Sequence, residues 1–383
     1  MLYFTTTDVD NLRQYSYKSI DKSFIATKIL NPYWWSLIIE YVPRWVAPNL
    51  ITLTGFLCII INLILLLLHS PSLTEPIPSY LYVSFALGLF AYQSLDAIDG
   101  KQARRTGTSS PLGELFDHGC DALNTGFATF FGVTALGLGQ TWWQLFTVYS
   151  CIGNFYLSTW EEYYTSTLYL SECSGPIEGV FTIIAILLTT SVTGPEIWSE
   201  PLPIIHLPVN ILFVAFGCIV IVWNVYTSYS NVLQAVATNP GAAERFKKYP
   251  PLLTLSPYLF LVVITSILPL SSATLVESAS IVPFVIFITF LFAQQIGSII
   301  VAHVSKRGFP VSEMIAPGIY LSLLAGSLQI AFGNGLTLWW GLAVSAGVWY
   351  ALWAARIILD MCEIFDINCL SIKKRSDDSK LLG

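Results

Sequence analysis

The chain has 383 residues, of which 54% are hydrophobic and only 11% are Asp, Glu, Lys or Arg. Soluble proteins carry about 25% charged residues, so this composition excludes a single large water-soluble domain. The high apolar content also excludes disorder, and the net charge of −6 argues against a nucleic-acid partner. The long, continuous apolar segments favour an all-α, polytopic integral membrane protein over a β-barrel.

The N-terminal region, 1–48, contains no apolar stretch long enough to cross a bilayer, and we predict that it forms a cytoplasmic segment. Within it, 31–46 (NPYWWSLIIEYVPRWV) combines Trp and Tyr with isolated charges. This pattern is typical of an amphipathic interfacial helix lying on the membrane surface. An ordinary aromatic anchor at the membrane boundary is the other interpretation.

Ten later segments are apolar over about the length that a bilayer requires. They lie near 50–68, 80–95, 122–138, 142–159, 179–194, 208–228, 252–270, 282–303, 315–332 and 336–357. We therefore predict about ten transmembrane helices, with a tight hairpin between the third and the fourth.

The positions of the cations predict the orientation of these helices. All 18 Lys and Arg residues lie before the first segment, at or beyond the end of the last, or in connections that ten spans place on the same side. The opposite connections, 69–79, 139–141, 195–207, 271–281 and 333–335, contain none. By the positive-inside rule, the cation-bearing side is cytoplasmic and both termini lie there.

Four aspartates interrupt the apolar pattern around the second and third spans. Asp96 and Asp99 lie three residues apart at the end of span two, and Asp117 and Asp121 lie four apart at the start of span three. These spacings place each pair on one helical face, and the short connection makes the two helices neighbours. All-oxygen ligands select Mg²⁺, Mn²⁺ or Ca²⁺, and two such ions suit displacement at a phosphoryl centre. Solvated helix ends are the other interpretation.

The residues between the aspartates are small or basic. At Gly100 and Gly113 a missing side chain lets a nucleotide or pyrophosphate approach the backbone, although helix-end geometry explains the glycines equally well. Ala103 is also small. Arg104 is suited to pair with a phosphate oxygen. Alternatively, it is one of the positive charges that determine the topology. That second interpretation fits Lys101 and Arg105 better.

The whole pattern resembles the signature of the CDP-alcohol phosphotransferases. The matching positions are Asp96, Asp99, Gly100, Ala103, Arg104, Gly113, Asp117 and Asp121, with the family's fixed gaps. The wider chain resembles the eukaryotic cholinephosphotransferase/ethanolaminephosphotransferase branch in Ala47–Thr52, in the run SPLGELFDHGCD, and in Trp160–Tyr163. The resemblance covers essentially the whole chain.

The resemblance implies a reaction in which the hydroxyl of diacylglycerol attacks the β-phosphorus of CDP-choline or CDP-ethanolamine. CMP leaves, and phosphatidylcholine or phosphatidylethanolamine forms. It further implies that the four aspartates hold two Mg²⁺ or Mn²⁺ ions, with Asp96 and Asp117 bridging both, Asp99 on one ion and Asp121 on the other. Diacylglycerol would enter from the bilayer, and the CDP-alcohol from the cytoplasm.

The general base has two candidates. Asp121 is the usual nominee in relatives that lack a histidine here. His118 has an unperturbed pKa of about 6.5, which suits proton abstraction, and it lies on the helix between the flanking aspartates. Alternatively, His118 orients one of the neighbouring aspartates.

Several further residues are candidates for substrate contact. Asn49 is predicted to contact cytidine or phosphate, although it also suits a helix N-cap. Glu161 and Glu162, with the aromatic residues around them, are candidates for the cationic head group, and the other interpretation is a solvated helix end. Glu114 is a second candidate for the head group, or for a supporting role beside the metal ligands.

The predicted organisation has four parts. They are the segment 1–48, a catalytic core over 49–230 with spans one to six, additional spans over 231–360 that serve as scaffold, lipid portal and possible dimer interface, and a polar cytoplasmic tail over 361–383. By resemblance we expect a homodimer in the endoplasmic reticulum or Golgi membrane. A transferase with another acceptor alcohol is the nearest alternative. A cation-coupled transporter is a remote one, because transporter carboxylates lie near the bilayer midplane in repeated halves.

Overall fold

The computed structural model describes residues 3–170, 175–270, 280–332 and 335–373, and most of them are helical. The helices are α1 (Thr6–Arg13), α2 (Ser36–Tyr41), α3 (Pro48–His69), α4 (Ser79–Thr106), α5 (Pro111–Ala135), α6 (Trp142–Thr165), α7 (Pro176–Thr193), α8 (Val209–Thr238), α9 (Pro240–Lys248), α10 (Pro251–Leu270), α11 (Ile281–Val304), α12 (Val311–Phe332) and α13 (Leu336–Phe365). The shorter elements are a π-helix at Ala26–Trp35, a 3₁₀ turn at Pro195–Ser199, and strands β1 (Ser19–Asp21) and β2 (Leu168–Leu170).

Each of the ten predicted spans coincides with a helix, from α3 to α8 and from α10 to α13. Within the described ranges, six helices are long and apolar enough to cross a membrane: α3, α4, α7, α8, α11 and α13. A seventh is added if α9 and α10, which meet at a bend of 57°, form one broken span. The chain is therefore an all-α, multi-pass membrane protein, and the count of ten stays a prediction.

Helices α4 and α5 extend further than the apolar segments that predicted them. α4 continues to Thr106, where Gly107 ends it in the left-handed conformation at φ 66°. α5 begins at Pro111, after Ser110 has capped it by accepting a hydrogen bond from the Gly113 amide at 3.3 Å. A connection of only four residues, 107–110, therefore joins two antiparallel helices, and all four aspartates lie inside the helices rather than at their ends.

Helix α11 forms the centre of the bundle, because most of its residues are buried by other helices rather than left for lipid. It packs against α5, α6, α10 and α13. Against α5 the approach is very close: a Cβ added at Gly126 would lie 2.3 Å from the Thr289 hydroxyl. A small residue at such a crossing allows two membrane helices to pack backbone to backbone.

The N-terminal segment is tied to the ends of the later helices. Strand β1 pairs in parallel with β2, which follows α6, in the register Ser19 to Leu168. The Arg307 guanidinium donates to the Asp8 carboxylate at 2.6 Å, and the Asn11 amide donates to the Ser305 carbonyl at 2.9 Å. The N-terminal segment therefore contacts the connections that follow α6 and α11, and the predicted orientation stays a prediction.

The predicted interfacial segment, 31–46, is helical only as far as Tyr41, and the helical part is two-faced. The π-helix runs directly into α2, and its inner face packs on Ile51 of α3, Ile98 of α4 and Ile177 of α7. The outer face exposes large apolar and aromatic residues: Ile29, Tyr33, Trp34, Leu37 and Tyr41. This exposed apolar face is what a helix lying on a membrane surface needs, and its membrane contact stays a prediction.

Candidate active site

The four predicted aspartates face one another across the α4–α5 hairpin. Carboxyl oxygens of Asp96, Asp117 and Asp121 all lie within 4.8 Å of one another. Asp99, one turn further along α4, lines the same cavity. Two helical faces therefore bring four carboxylates together, as their spacing of three and four residues predicts.

Two neighbouring side chains orient this cluster, and the sequence analysis did not identify either of them. The Thr52 hydroxyl on α3 donates to the Asp99 carboxylate, and the Tyr92 hydroxyl donates to Asp121 Oδ1 at 2.6 Å. Both signals were present in the sequence: Tyr92 precedes Asp96 by one helical turn, and Thr52 follows Asn49 by three residues.

The donor set fits divalent cations. Asp96 Oδ1 and Asp117 Oδ1 are buried, and neither has a hydrogen-bond partner among the described residues. Carboxylates packed this closely repel one another, whereas oxygen ligands of this kind hold Mg²⁺ or Mn²⁺. The unpaired oxygens and the close carboxylates are therefore compatible with the predicted ions.

His118 lies on the same helix and is only 5% exposed. Its Nδ1 lies 3.0 Å from the Glu114 carbonyl oxygen one turn earlier, which assigns the proton to Nδ1 and leaves Nε2 as the basic nitrogen. Nε2 lies 3.9 Å from Glu162 Oε2, and Nδ1 lies 3.9 Å from Asp117 Oδ2. The ring lines the cavity beside the aspartates.

The predicted nucleotide contacts also meet at this cavity. Asn49 does not cap α3, because Pro48 opens that helix and Ala47 is its N-cap. It instead lies beside Gly113, where an added Cβ would be 3.8 Å from Asn49 Oδ1. An added Cβ at Gly100 would be 3.6 Å from the Arg104 guanidinium. At both glycines a methyl group would meet only ordinary contact distances within the protein, and Ala103 lines the cavity between them.

The three cations after Asp99 have different surroundings. Lys101 donates to the Asn31 side chain at 2.6 Å, and Arg105 donates to the Ile39 and Val42 carbonyls. Arg104 is exposed and lines the cavity, and no hydrogen bond or ion pair joins its guanidinium to another described residue. Arg104 alone of the three therefore remains available for a phosphate.

The aromatic residues predicted near the head group are packed elsewhere. The Trp160 indole and the Tyr164 hydroxyl both contact Thr254 of α10, and the Glu161 carboxylate accepts from Asn231 of α8 at 2.7 Å. These residues are buried and do not line the cavity. Their aromatic faces serve packing between helices. Glu114, by contrast, lines the cavity and accepts a hydrogen bond from Tyr15.

Tyr15 is a contact that sequence reasoning missed. Burial, with the nearby Glu114 carboxylate, raises the pKa of the Tyr15 phenol, so that it remains protonated and acts as the donor to Glu114. Residues 365–369 and 371–373, predicted as part of a separate polar tail, also line the cavity, and Cys369 Sγ lies 3.7 Å from Asn49 Nδ2. The local sequence gives no signal for these long-range contacts.

The cavity has a volume of about 2160 Å³, larger than the 300–1,000 Å³ typical of small-molecule sites. Its polar end contains the aspartates and the glycines. The part between α6, α7 and α8 is lined by many apolar or small residues, among them Phe146, Ile183, Phe213, Gly217 and Val220, and by a few polar ones such as Asn154. One cavity thus combines a carboxylate-rich end with an end that is largely apolar.

Comparison with known proteins identifies the class. The family model described as CDP-alcohol phosphatidyltransferase matches residues 45–223, which contain all four aspartates. Together with relatives that align over nearly the whole chain, this match shows that the protein belongs to the CDP-alcohol phosphatidyltransferase family and is an enzyme of the CDP-alcohol phosphotransferase class.

The relatives add detail within that class. A Saccharomyces cerevisiae protein named choline/ethanolaminephosphotransferase 1 is 34% identical, with 98% of this chain and 99% of that protein aligned. The cholinephosphotransferase 1 of the same yeast is 32% identical over 97% of this chain and 98% of its own. An Arabidopsis thaliana choline/ethanolaminephosphotransferase 1 is 44% identical over 53% of this chain and 51% of its own length.

Proposed function

We propose that the protein transfers phosphocholine, phosphoethanolamine or both from CDP-choline or CDP-ethanolamine to the hydroxyl of diacylglycerol. The products are CMP and phosphatidylcholine or phosphatidylethanolamine. The observation that carries this proposal is the cavity itself, in which paired carboxylates at a polar end adjoin an apolar end between α6, α7 and α8. The names of the yeast and plant relatives support the choice of head group.

The polar end suits the donor nucleotide. Asp96, Asp99, Asp117 and Asp121 would hold two Mg²⁺ or Mn²⁺ ions, which neutralise charge on phosphoryl oxygens. Gly100, Ala103 and Gly113 leave room for the pyrophosphate to approach the helix backbones. Arg104 supplies a guanidinium for a phosphate oxygen, and Asn49 supplies an amide for the nucleotide.

His118 is proposed as the general base, and Asp121 as the alternative. The acceptor oxygen forms a bond to the β-phosphorus, the bond from that phosphorus to the bridging oxygen breaks, and CMP leaves with that oxygen. The hydroxyl proton passes to His118 Nε2. Support comes from the contact between Nδ1 and the Glu114 carbonyl, which directs Nε2 away from its own helix. Glu114 is proposed to act at the side of the cavity through its neighbours Tyr15 and His118.

The apolar end suits the acyl chains of the acceptor. The lining residues on α8 are apolar or small, those on α6 include hydroxyl groups and the Asn154 amide, and both helices also expose apolar residues outward. Diacylglycerol has one hydroxyl and two long chains, so it fits a cavity that is polar at one end only. We place the enzyme in the endoplasmic reticulum or Golgi membrane, with the aspartates toward the cytoplasm, as a homodimer.

The direct test is turnover by the purified full-length protein. Radiolabelled CDP-choline and CDP-ethanolamine are supplied separately with diacylglycerol, with Mg²⁺ or Mn²⁺ and after chelation by EDTA. We expect a labelled phospholipid from at least one donor, and none in EDTA until the metal is restored. Absence of product from both donors would overturn the function, and product only with another acceptor alcohol would favour the alternative transferase.

Replacement of His118 tests the base. His118→Ala is expected to lower kcat by about 10²–10⁴ with little change in the Mg²⁺ concentration needed for activation. His69→Ala is the matched control, because His69 is exposed at the far end of α3. Near-normal turnover by His118→Ala would transfer the role to Asp121.

A further inference from the structure

A second cluster of ionisable residues lies beside the aspartates but outside their set. Glu114 on α5, Glu162 on α6 and His303 on α11 come from three different helices. Each offers a potential ligand atom, and these atoms lie within 4.8 Å of one another. The three residues are 8%, 1% and 6% exposed, so the cluster is almost completely buried.

All three side chains contain an atom that lacks a partner. Glu114 Oε1, Glu162 Oε2 and His303 Nδ1 are buried, with no hydrogen-bond partner among the described residues. Buried polar atoms are normally paired, and an unpaired one costs about 1–3 kcal/mol. Three such atoms on converging side chains therefore point to a group that the protein chain itself does not supply.

The charge of the cluster indicates that this group is a cation. Within the described ranges no Lys or Arg forms an ion pair with Glu114 or Glu162, and His118 Nε2 lies 3.9 Å from Glu162 Oε2. Two carboxylates taken out of water without a counter-charge carry a penalty of several kcal/mol each. A dication among them would neutralise both and would also satisfy the imidazole.

We propose that Glu114, Glu162 and His303 form a second metal site, which binds one transition dication of the Zn²⁺ class. Mixed imidazole and carboxylate ligands select Zn²⁺ and its neighbours, whereas Mg²⁺ and Ca²⁺ prefer oxygen alone. Three protein ligands would leave a fourth position open, as in catalytic zinc sites. The Tyr15 hydroxyl lies 3.4 Å from His303 Nε2, whereas the ring nitrogen without a partner is Nδ1.

The site joins parts of the chain that are distant in sequence. It connects α5, α6 and the central helix α11, and through Tyr15 it reaches the N-terminal segment. Glu114 is one turn before His118 on α5, so the metal would also fix the side of the cavity next to the proposed base. The inference concerns metal binding alone and stands whether or not the proposed substrates are correct.

The test is zinc binding by the metal-stripped full-length protein in detergent, measured with excess Mg²⁺ so that the aspartate cluster is occupied. We expect one Zn²⁺ per chain by equilibrium dialysis and elemental analysis. Zinc K-edge absorption should show one imidazole and otherwise oxygen ligands. Glu162→Gln and His303→Gln should each weaken binding at least tenfold. The matched control is Glu161→Gln, since Glu161 lies next in the chain but accepts from Asn231 of α8.

The outcomes separate cleanly. Zinc that is retained by Glu161→Gln and lost from the other two variants supports the site. Absence of bound zinc, zinc bound equally by all variants, or an absorption spectrum without imidazole would overturn it. If one variant fails to fold, the absorption spectrum of the unaltered protein still decides the question, because it requires no substitution.

Discussion

Gly100 lies in the interior of α4, where glycine is less stable than alanine by about 0.5–1 kcal/mol. Within the protein an added methyl group would meet nothing closer than the Arg104 guanidinium at 3.6 Å. Gly100→Ala should therefore leave the melting temperature unchanged or slightly raised. Its KM for the CDP-alcohol should rise about tenfold or more, because the methyl group occupies space needed by the pyrophosphate.

The control for this prediction is Gly341→Ala. Gly341 is an exposed glycine in α13, with open space around its missing Cβ and no contact with the cavity. This variant should show the same small gain in thermal stability with an unaltered KM. Equal KM values for both variants would contradict a role for Gly100 in donor binding.

Thr52 is the side chain that orients Asp99, and its hydroxyl has no other short contact. Thr52→Val keeps the shape and removes the donor. Loss of a side chain that orients a metal ligand typically weakens metal affinity by about 10–100-fold. We therefore expect a higher Mg²⁺ concentration for half-maximal activity, with kcat largely recovered at saturating Mg²⁺.

The comparison for Thr52→Val is Thr54→Val on the same helix. The Thr54 hydroxyl is exposed and donates only to the Leu50 carbonyl of its own helix at 2.7 Å. Its replacement should leave the Mg²⁺ dependence unchanged. If the activity of Thr52→Val depended on Mg²⁺ concentration as in the parent protein, a role for Asp99 in metal binding would be contradicted.

The candidate site was predictable from sequence where local spacing decides it. The aspartates converge because each pair shares a helical face and the connecting loop is short. Tyr15 and residues 365–369 and 371–373 reach the cavity from distant parts of the chain. One sequence contains no information on such pairings until the helices are packed. The cluster of Glu114, Glu162 and His303 was missed for the same reason.

At the scale of elements, hydropathy located the helices but misplaced the ends of α4 and α5. An apolar window stops where polar residues begin, at 95 and 122, yet both helices continue through the polar stretch. The polar residues do not end these helices, because their carboxylates face one another across the hairpin and do not face water. The sequence nevertheless contains the signals for these helix ends. Gly107 marks the end of α4, and Ser110 followed by Pro111 marks the start of α5.

The N-terminal segment should loosen when its anchoring ion pair is removed. Burial opposes ionisation of Asp8, but hydrogen bonds from Arg307 and Thr5 outweigh it and hold the pKa of this carboxyl below its usual value. Asp8→Asn should therefore increase amide hydrogen exchange over residues 3–15. Asp10→Asn, an exposed residue of the same helix, should leave exchange unaltered.

The same ion pair predicts a pH dependence. A carboxyl whose pKa is lower in the folded state stabilises that state above its unfolded pKa of about 3.9. That contribution is lost as the pH falls through the lower folded value. Exchange over residues 3–15 should thus be constant from pH 5 to 8, after correction for the intrinsic rate, and should rise only below about pH 4. A rise between pH 5 and 8 would contradict this assignment.

For the whole molecule, the order of helices followed from hydropathy, whereas the small elements did not. The ten apolar segments all became helices, because in a bilayer a helix satisfies every backbone group within its own segment. The β1–β2 pairing and the π-helix at Ala26–Trp35 depend on contacts between distant segments. The boundaries at 48, 230 and 360, with a catalytic core in 49–230, stay predictions, and the last two fall inside α8 and α13.

The predicted orientation can be tested with two matched exposed glutamates on either side of α8. Glu200 precedes this helix and Glu244 follows it in α9. In sealed vesicles whose cytoplasmic face points outward, a membrane-impermeant maleimide should label Glu244→Cys. Glu200→Cys should react only after detergent opens the vesicles. The parent protein, which has its own cysteines, supplies the background to subtract.

Two further positions test the even number of spans. Asp10 lies in α1, and Glu363 lies near the end of α13, and both are exposed. Ten spans place both on the same side as Glu244, so Asp10→Cys and Glu363→Cys should be labelled in sealed vesicles. If one of them is labelled only after detergent, the number of crossings between them is odd. In that case the positive-inside assignment would hold for only part of the chain, because its cations would lie on both faces of the membrane.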